Sequence, residues 1–350
     1  MTYKEKINGY AIKENPIIMG IETSCDETAV AIVKNGREII AEHIISSAST
    51  HAVYGGVVPE IASRYHTTAI LTATQKALDD ANMTFDDIDA FAVTEGAGLL
   101  GALLVGVSFA KALAFALNKP LIPVSHIRGH IAASYLADKT LQPPFITILA
   151  SGGHTAIVKV KSYTESECLG STQDDAVGEA FDKVARVLGL AYPGGPNVER
   201  LAREGKKIVP LPKMLKNWTG SEYDFSYSGL KTSVINYLHN ANARGEEVNR
   251  ADVACSFQCA AIDVLVEKGL KAVAETGYKT LTVSGGVGAN GYLRERLLKA
   301  TTGTNVNLVL PEKRYCTDNA SMIAAEGYIQ YKMGNFADLS LNAKAVMPFK

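Results

Sequence analysis

A chain of 350 residues is more than one simple core organises, so two domains are expected. Its hydrophobic share of 47% is that of an ordinary soluble globular protein, and a net charge of −1 excludes a global pull toward nucleic acid or anionic membrane. Five widely spaced cysteines, an odd number, exclude a disulfide framework and fit a reduced, cytoplasmic setting.

Residues 1–16 are polar and mixed in charge, lack the apolar core of a signal peptide, and read as a flexible N-terminal extension. A strand starts at Ile17, a polar turn runs from Thr23 to Thr28, and a second strand covers Ala29 to Val33. Asn35-Gly36 is a hairpin signal, and Glu38 to Ser46 completes a meander. Apolar spacing predicts a helix from about Ser63 to Ala81. Ala90 to Thr94 reads as a short buried strand, after which Gly96-Ala97-Gly98 opens a helix over Leu99 to Leu117. The apolar run Gly96 to Ala110 is too short to span a bilayer and reads as a loop entering a buried helix.

Pro143-Pro144 marks a boundary, giving a first α/β domain over 17–142 and a second over 143–350. The C-terminal helix of the second could pack back on the first. The second domain repeats the pattern of the first. Phe145 to Ala150 is a strand, Ser151-Gly152-Gly153-His154 a turn, and Thr155 to Val160 the returning strand. A helix over Ala254 to Thr276 and a strand over Thr280 to Ser284 follow, and Gly285 to Asn290 leads into a helix from Gly291 to Ala300. The expected architecture is therefore a duplicated α/β unit with an interdomain cleft.

Candidate chemistry sits at two kinds of place. His126 and His130 are four apart and share one face of a helical turn, so both imidazoles can address one metal ion. On spacing alone, metal ligation and ordinary polar positions both stay open. Glycine-rich turns at Gly55-Gly56, Gly96 to Gly101, Gly152-Gly153 and Gly285-Gly286 let backbone N–H groups approach an anion. Tyr192 to Pro196 reads as a rigid turn. No Walker A pattern is present, and Gly96 to Gly101 is equally well read as close helix–sheet packing. Cys255 and Cys259 read as small buried hydrophobes.

Several ordered motifs carry a resemblance. They are Gly20 to Thr28, His51 to His66, Ser125-His126 with Gly129-His130, Ser151 to Thr155, Gly178 to Lys183, Tyr192 to Pro196, Phe225 to Thr232, Gly285-Gly286 with Asn290, and Cys316-Thr317-Asp318-Asn319. From about Ile17 to Ile323 the chain resembles the TsaD family, the catalytic subunit of bacterial tRNA N6-adenosine threonylcarbamoyltransferase. The resemblance implies an actin/sugar-kinase/Hsp70-like (RNase H-like) two-domain fold. It implies transfer of a threonylcarbamoyl group from its adenylate to N6 of the adenosine just 3′ of the anticodon (position 37), in tRNAs reading codons that begin with A. It carries the metal ligands onto His126, His130 and Asp318, with Fe2+ as the expected ion and Zn2+ as the alternative. Substrate-binding positions carry over to Leu149, Ala150, Ser151, Gly152, Gly153, Asp182, Gly195 and Asn290, with an adenine nucleotide as substrate or product. Implied partners are tRNA, an inactive paralogous subunit, a small P-loop ATPase and a separate adenylate-forming enzyme that supplies the substrate, with no membrane.

Ala97, Ser125 and Tyr227 depart from the family's usual proline, asparagine and phenylalanine, and Glu199 stands where relatives often carry aspartate. Asp182 also has a simpler reading, an ion pair with Arg186 one turn on. The basic stretch Arg200, Arg203, Lys206, Lys207, Lys213 and Lys216 reads either as a solvated face or as a contact to tRNA phosphates. No covalent nucleophile is evident: nothing makes Cys25 or Cys316 a thiolate, and Ser24 and Ser151 lack a base. A metalloprotease and a small-molecule kinase or carbamoyltransferase of the same fold are the competing functions. The first lacks a carboxylate between His126 and His130, where Ile127, Arg128 and Gly129 stand.

Overall fold

The computed structural model describes residues 2–212, 214–215 and 218–347; Lys213 and Lys216 of the basic stretch lie outside the described residues. The chain divides into two units, Met1–Leu141 with Asp318–Phe349, and Gln142–Thr317.

The first unit opens with helix α1 (Tyr3–Asn8). Strands β1 (Ile17–Glu22), β2 (Glu27–Lys34) and β3 (Glu38–Ser46) form an antiparallel meander. Helices α2 (Ala48–Ala52) and α3 (Pro59–Ala81) lead to β4 (Ala90–Gly96), α4 (Leu100–Leu117), β5 (Leu121–Ser125) and α5 (His126–Ala137). Strand order is β3-β2-β1-β4-β5, with β4 parallel to both β1 and β5. Side chains alternate across a strand. Met19 and Ile21 of β1 thus enter a core with Ile70, Ala73 and Ala77 of α3 and Val107 and Ala110 of α4.

The second unit holds β6 (Phe145–Ala150), β7 (Thr155–Val160), β8 (Ser166–Ser171), α6 (Val177–Val187), α7 (Gly194–Ala202), α8 (Ser228–Ala243) and α9 (Arg250–Thr276). It continues through β9 (Thr280–Ser284), α10 (Gly291–Thr301) and β10 (Asn307–Val309). Its strand order, β10-β9-β6-β7-β8, repeats that of the first sheet element for element. The duplicated pattern is thus a duplicated topology.

Helix α11 (Ala320–Lys332) returns to the first unit and lies against β1. Gly20 and Ala92 meet it on the face of the sheet opposite α3 and α4. The expected boundary near residue 142 agrees with this division, but the extent of the second domain to residue 350 is corrected: residues 318–347 go with the first unit, in line with a C-terminal helix packing back on it, because the alternate face of β1 needs α11 to cover it.

The flexible extension is corrected too. Thr2 and Glu5 form a capping box on α1, and Tyr3 and Ile7, four apart, bury themselves in the first core. Helix α3 starts at Pro59, a turn before the predicted Ser63, with proline in the first turn where its missing N–H costs nothing. The Tyr192 to Pro196 turn runs directly into α7. Helix α4 is long and apolar enough to cross a membrane by length and composition alone. Its Leu103, Val107, Ala110 and Ala114 face is buried, but Leu100, Leu104 and Phe115 are exposed, so the helix is only half in the core. Cys259 is buried and Cys255 only partly so.

Candidate metal centre and glycine-rich turns

Strand β5 ends at Ser125 and α5 begins at once, so His126 and His130 occupy successive turns at the head of one helix. Their ring centroids are 4.5 Å apart. The third member arrives with α11. Asn319 caps that helix, its Oδ1 accepting from Met322 N at 2.8 Å, and Asp318 stands just before the cap. Two glycines permit the approach. A Cβ on Gly20 would lie 2.2 Å from Ala320 O, and one on Gly129, between the histidines, would lie 2.7 Å from Ile323 Cδ1.

Asp318 Oδ1 then lies 3.5 Å from His126 Nε2 and 3.3 Å from His130 Nε2. One ligand atom from each of the three residues falls within 4.8 Å of the others. Both nitrogens of His130 are buried, and among the described residues neither meets a partner in good hydrogen-bonding geometry; Nε2 has only the Asp318 carboxylate beside it. An orphaned imidazole is costly in a protein interior, and coordination would relieve it. The donor set therefore fits a divalent cation, since two neutral imidazoles and one carboxylate suit Fe2+ or Zn2+ and leave positions open.

Behind His126 stands Glu22, the last residue of β1 and fully buried. Its Oε2 lies 3.1 Å from His126 Nδ1 and accepts from Thr94 Oγ1 at 2.6 Å, while Oε1 accepts from Ser24 N at 2.5 Å. Ser24 Oγ is 3.2 Å from the same Nδ1. A carboxylate on Nδ1–H fixes the tautomer that turns Nε2 toward Asp318. Sequence reasoning missed Glu22, although an acid closing the apolar run from Ile17 to Ile21 was a visible signal.

Burial opposes charge on His126, but Asp318 and Glu22 together raise it well above an ordinary histidine. Burial, then the neighbouring His126, push His130 below that value. Burial works against ionised Asp318, yet the two histidines hold it far below the carboxylate range. Beside them, burial followed by Asp26 and Asp318 pushes Glu27 up to about 9 and the Cys25 thiol well above its usual range. Burial also raises Cys316. Neither cysteine is a thiolate near neutral pH.

The remaining sequence-predicted residues lie in the second unit. Leu149 and Ala150 bury their side chains at the end of β6, leaving only backbone to offer. The Ser151 to His154 turn is closed by Ser151 N donating to His154 O at 2.8 Å. A Cβ on Gly285 would lie 2.5 Å from Ala150 O and one on Gly178 2.6 Å from Ser151 O, so both glycines press against this turn. By contrast Gly152, Gly153, Gly195 and Gly286 have open space where a Cβ would be. Asp182 Oδ1 accepts from Gly194 N at 2.7 Å, which ties it to the start of α7 next to Gly195.

Asn290 caps α10 by accepting from Leu293 N at 3.0 Å and donates to Gln258 Oε1 at 3.0 Å. One lone pair and one N–H of its amide remain. Glu199 Oε1 accepts from Gly291 N at 3.2 Å and pairs with Arg203, which gives that residue a structural task. Lys207 of the basic stretch pairs with Asp263.

Residues 38–325 match the family model described as TsaD: tRNA N6-adenosine threonylcarbamoyltransferase. A Bacillus thuringiensis tRNA N6-adenosine threonylcarbamoyltransferase is 53% identical over 336 residues, covering 95% of this chain and 97% of the relative. A Clostridium botulinum protein of the same name is 50% identical over 333 residues with the same coverage. Among solved structures, T. kodakarensis HypF matches with a TM-score of 0.62 at 15% identity, covering 93% of this chain and 48% of that one. Component A of the Acidaminococcus fermentans (R)-2-hydroxyglutaryl-CoA dehydratase matches with a TM-score of 0.53 at 14% identity, covering 91% and 99%. These structural likenesses concern the fold alone, and they agree with the duplicated actin/sugar-kinase/Hsp70-like architecture. With the family model spanning most of its length and relatives half identical over nearly all of it, the chain belongs to the tRNA N6-adenosine threonylcarbamoyltransferase (TsaD) family.

Proposed function

We propose that this chain transfers the threonylcarbamoyl group of threonylcarbamoyl-AMP to N6 of the adenosine just 3′ of the anticodon, in tRNAs that read codons beginning with A. His126, His130 and Asp318 would hold one divalent metal ion, Fe2+ with Zn2+ as the alternative. The observation that carries the metal reading is the buried His130 imidazole, which makes no well-formed hydrogen bond among the described residues and lies 3.3 Å from Asp318, in a chain of this family. When bound, such an ion supplies Lewis-acid polarisation of substrate oxygens.

The other work falls to the chain's own groups. N6 attacks the carbamoyl carbon, the bond from that carbon to the phosphate oxygen breaks, AMP leaves with the electron pair, and N6 loses a proton. Glu22 and Ser24 orient His126. The N–H groups of Gly152, Gly153 and Gly195, glycines with no atom crowding their Cβ positions, would receive phosphate or threonylcarbamoyl oxygens, with Ser151 shaping the turn of the first two. The Asp182 carboxylate, tied to Gly194 N through Oδ1, would accept from ribose hydroxyls, and the spare amide capacity of Asn290 would contact the nucleotide. Leu149 and Ala150 support this turn through their backbone. Raised thiols at Cys25 and Cys316 favour direct attack by the tRNA amine over a covalent enzyme intermediate. The target base is in a single-stranded loop, so it can be splayed out at small unstacking cost.

The reading includes cytoplasmic location and partners: tRNA, an inactive paralogous subunit, a small P-loop ATPase and a separate adenylate-forming enzyme. The near-neutral charge supports help in holding tRNA. Metal content tests the centre. His126→Ala and Asp318→Ala should each lose bound Fe2+ or Zn2+ while far-UV circular dichroism stays that of the unaltered chain. Equal metal content in the well-folded variants would contradict the assignment.

A further inference from the structure

Beyond α11 the chain crosses the first unit again, and that last segment touches the loop beneath the metal centre. Leu339, Leu341 and Ala343 pack on the core, and Lys111 Nζ donates to Leu341 O at 3.0 Å. Next, Lys344 N donates to Glu95 O at 2.7 Å and Lys344 Nζ lies 2.9 Å from Glu95 Oε2. Gly98 N donates to Ala345 O at 3.1 Å. The fit is close enough that a Cβ on Gly96 would lie 2.3 Å from Lys344 O and 2.9 Å from Met347 Cγ. Residues 344–347 therefore lie strapped over the loop from Glu95 to Gly98.

That loop feeds both groups that hold His126. Thr94, next to Glu95, donates to Glu22 Oε2, and Glu22 faces His126 Nδ1. Leu99, next to Gly98, donates through its N to Ser24 O at 2.8 Å, and Ser24 Oγ faces the same nitrogen. Gly98 itself presses on Ser24, where a Cβ would lie 2.7 Å from Ser24 Cβ. Two short paths thus run from one strap to one imidazole. We propose that the segment 344–347 is a positioning element for the metal centre, which fixes the Glu95–Gly98 loop and through Thr94–Glu22 and Leu99–Ser24 sets the orientation of His126.

The proposal rests on the metal reading above, and its test separates the two. The perturbation is a chain ending at Ala343, which keeps Leu339, Leu341 and Ala343 in the core. Lys344→Glu, alone and with Glu95→Lys, is a second variant set that deletes nothing. Two quantities are read: Co2+ affinity by chelator competition, and hydrogen exchange at the Gly98 and Leu99 amides. Outer partners of metal ligands change affinity by about 10–100-fold, and the strap is a further step away, so the shortened chain should bind Co2+ about three- to tenfold more weakly. Exchange at both amides should rise. Lys344→Glu should show a smaller loss of affinity, because the lysine end of the pair is exposed to solvent and the backbone bonds of the strap remain, and the double swap should restore it. Faster exchange with unchanged Co2+ affinity would overturn the positioning role, as would no change in either quantity. If the unaltered chain takes up no Co2+, the metal reading fails, and unchanged exchange at Leu99 then overturns the strap by itself.

Discussion

Replacing Glu22 by Gln removes one charge from behind the metal centre while keeping the shape of the side chain. Glu22 is wholly buried and accepts from Ser24 N and Thr94 Oγ1 while facing His126 Nδ1. The amide oxygen of glutamine can still accept from one or two of these groups, so the imidazole keeps its tautomer but loses its negative partner. Removing the outer partner of a ligating histidine weakens metal binding by about 10–100-fold, and the conservative change falls at the low end. Glu22→Gln should therefore lose about tenfold in affinity, or about 1.4 kcal/mol. Glu22→Ala should fall toward the high end. It also orphans buried donors at a cost of about 1–3 kcal/mol each, so its unfolding midpoint in urea should drop clearly. Chelator competition with Co2+ measures the first quantity and urea unfolding of the metal-free chain the second. Unchanged Co2+ affinity in both folded variants would refute the claim that Glu22 orients His126.

Gly20→Ala would drive a methyl to 2.2 Å from Ala320 O and 2.8 Å from Ala324 N, against the backbone of α11. It should cost about 1–3 kcal/mol of stability and weaken Co2+ binding by displacing Asp318; a variant as stable and as tight as the parent would contradict the packing account. Asp182→Ala should weaken AMP binding at least about tenfold, from a charge-assisted contact of roughly 1.5–3 kcal/mol, with Co2+ affinity unchanged; calorimetry showing equal AMP affinity would remove it from the site. Asp174 caps α8 from outside, accepting from the backbone N of Tyr227 at 2.8 Å and of Ser228 at 3.1 Å. Burial works to raise its carboxyl, but hydrogen bonds from Ser226, Ser228 and Tyr227 hold it below the usual range. A depressed carboxylate stabilises above its unfolded value and loses that stability as pH falls through the lowered one. Asp174→Asn should thus be less stable at neutral pH, with the gap closing in acid; a gap that does not depend on pH would count against the charged cap.

Legibility in the sequence followed physical cause. β3, β6, β7 and β9 were read to the residue because each is an apolar or alternating run bounded by turn residues. β8, with the sequence Ser-Glu-Cys-Leu-Gly-Ser, carries no such pattern and exists by pairing with β7. The six-residue α1 is too short to signal itself and is held by the burial of Tyr3 and Ile7. That the two histidines share one helix face was readable from spacing, since four residues is about one helical turn, but spacing alone left their role open. Asp318 was not readable that way, because it reaches the pair only through the return of α11 to the first sheet; it came from the family resemblance. Glu22 and the 344–347 strap needed tertiary contacts that no local pattern encodes. Asn290, a substrate-binding position by the resemblance, also caps α10, and Glu199, whose role the sequence left open, holds the start of the same helix.

The central claim is transfer chemistry that depends on the His126, His130 and Asp318 centre. The most direct measurement supplies purified chain, its partner subunits, synthetic threonylcarbamoyl-AMP and unmodified tRNA, and then counts threonylcarbamoylated adenosine in the digested tRNA by mass spectrometry. The account predicts modification by the unaltered chain and none by folded Asp318→Ala or His130→Ala. Equal modification by those variants, confirmed free of metal, would contradict it.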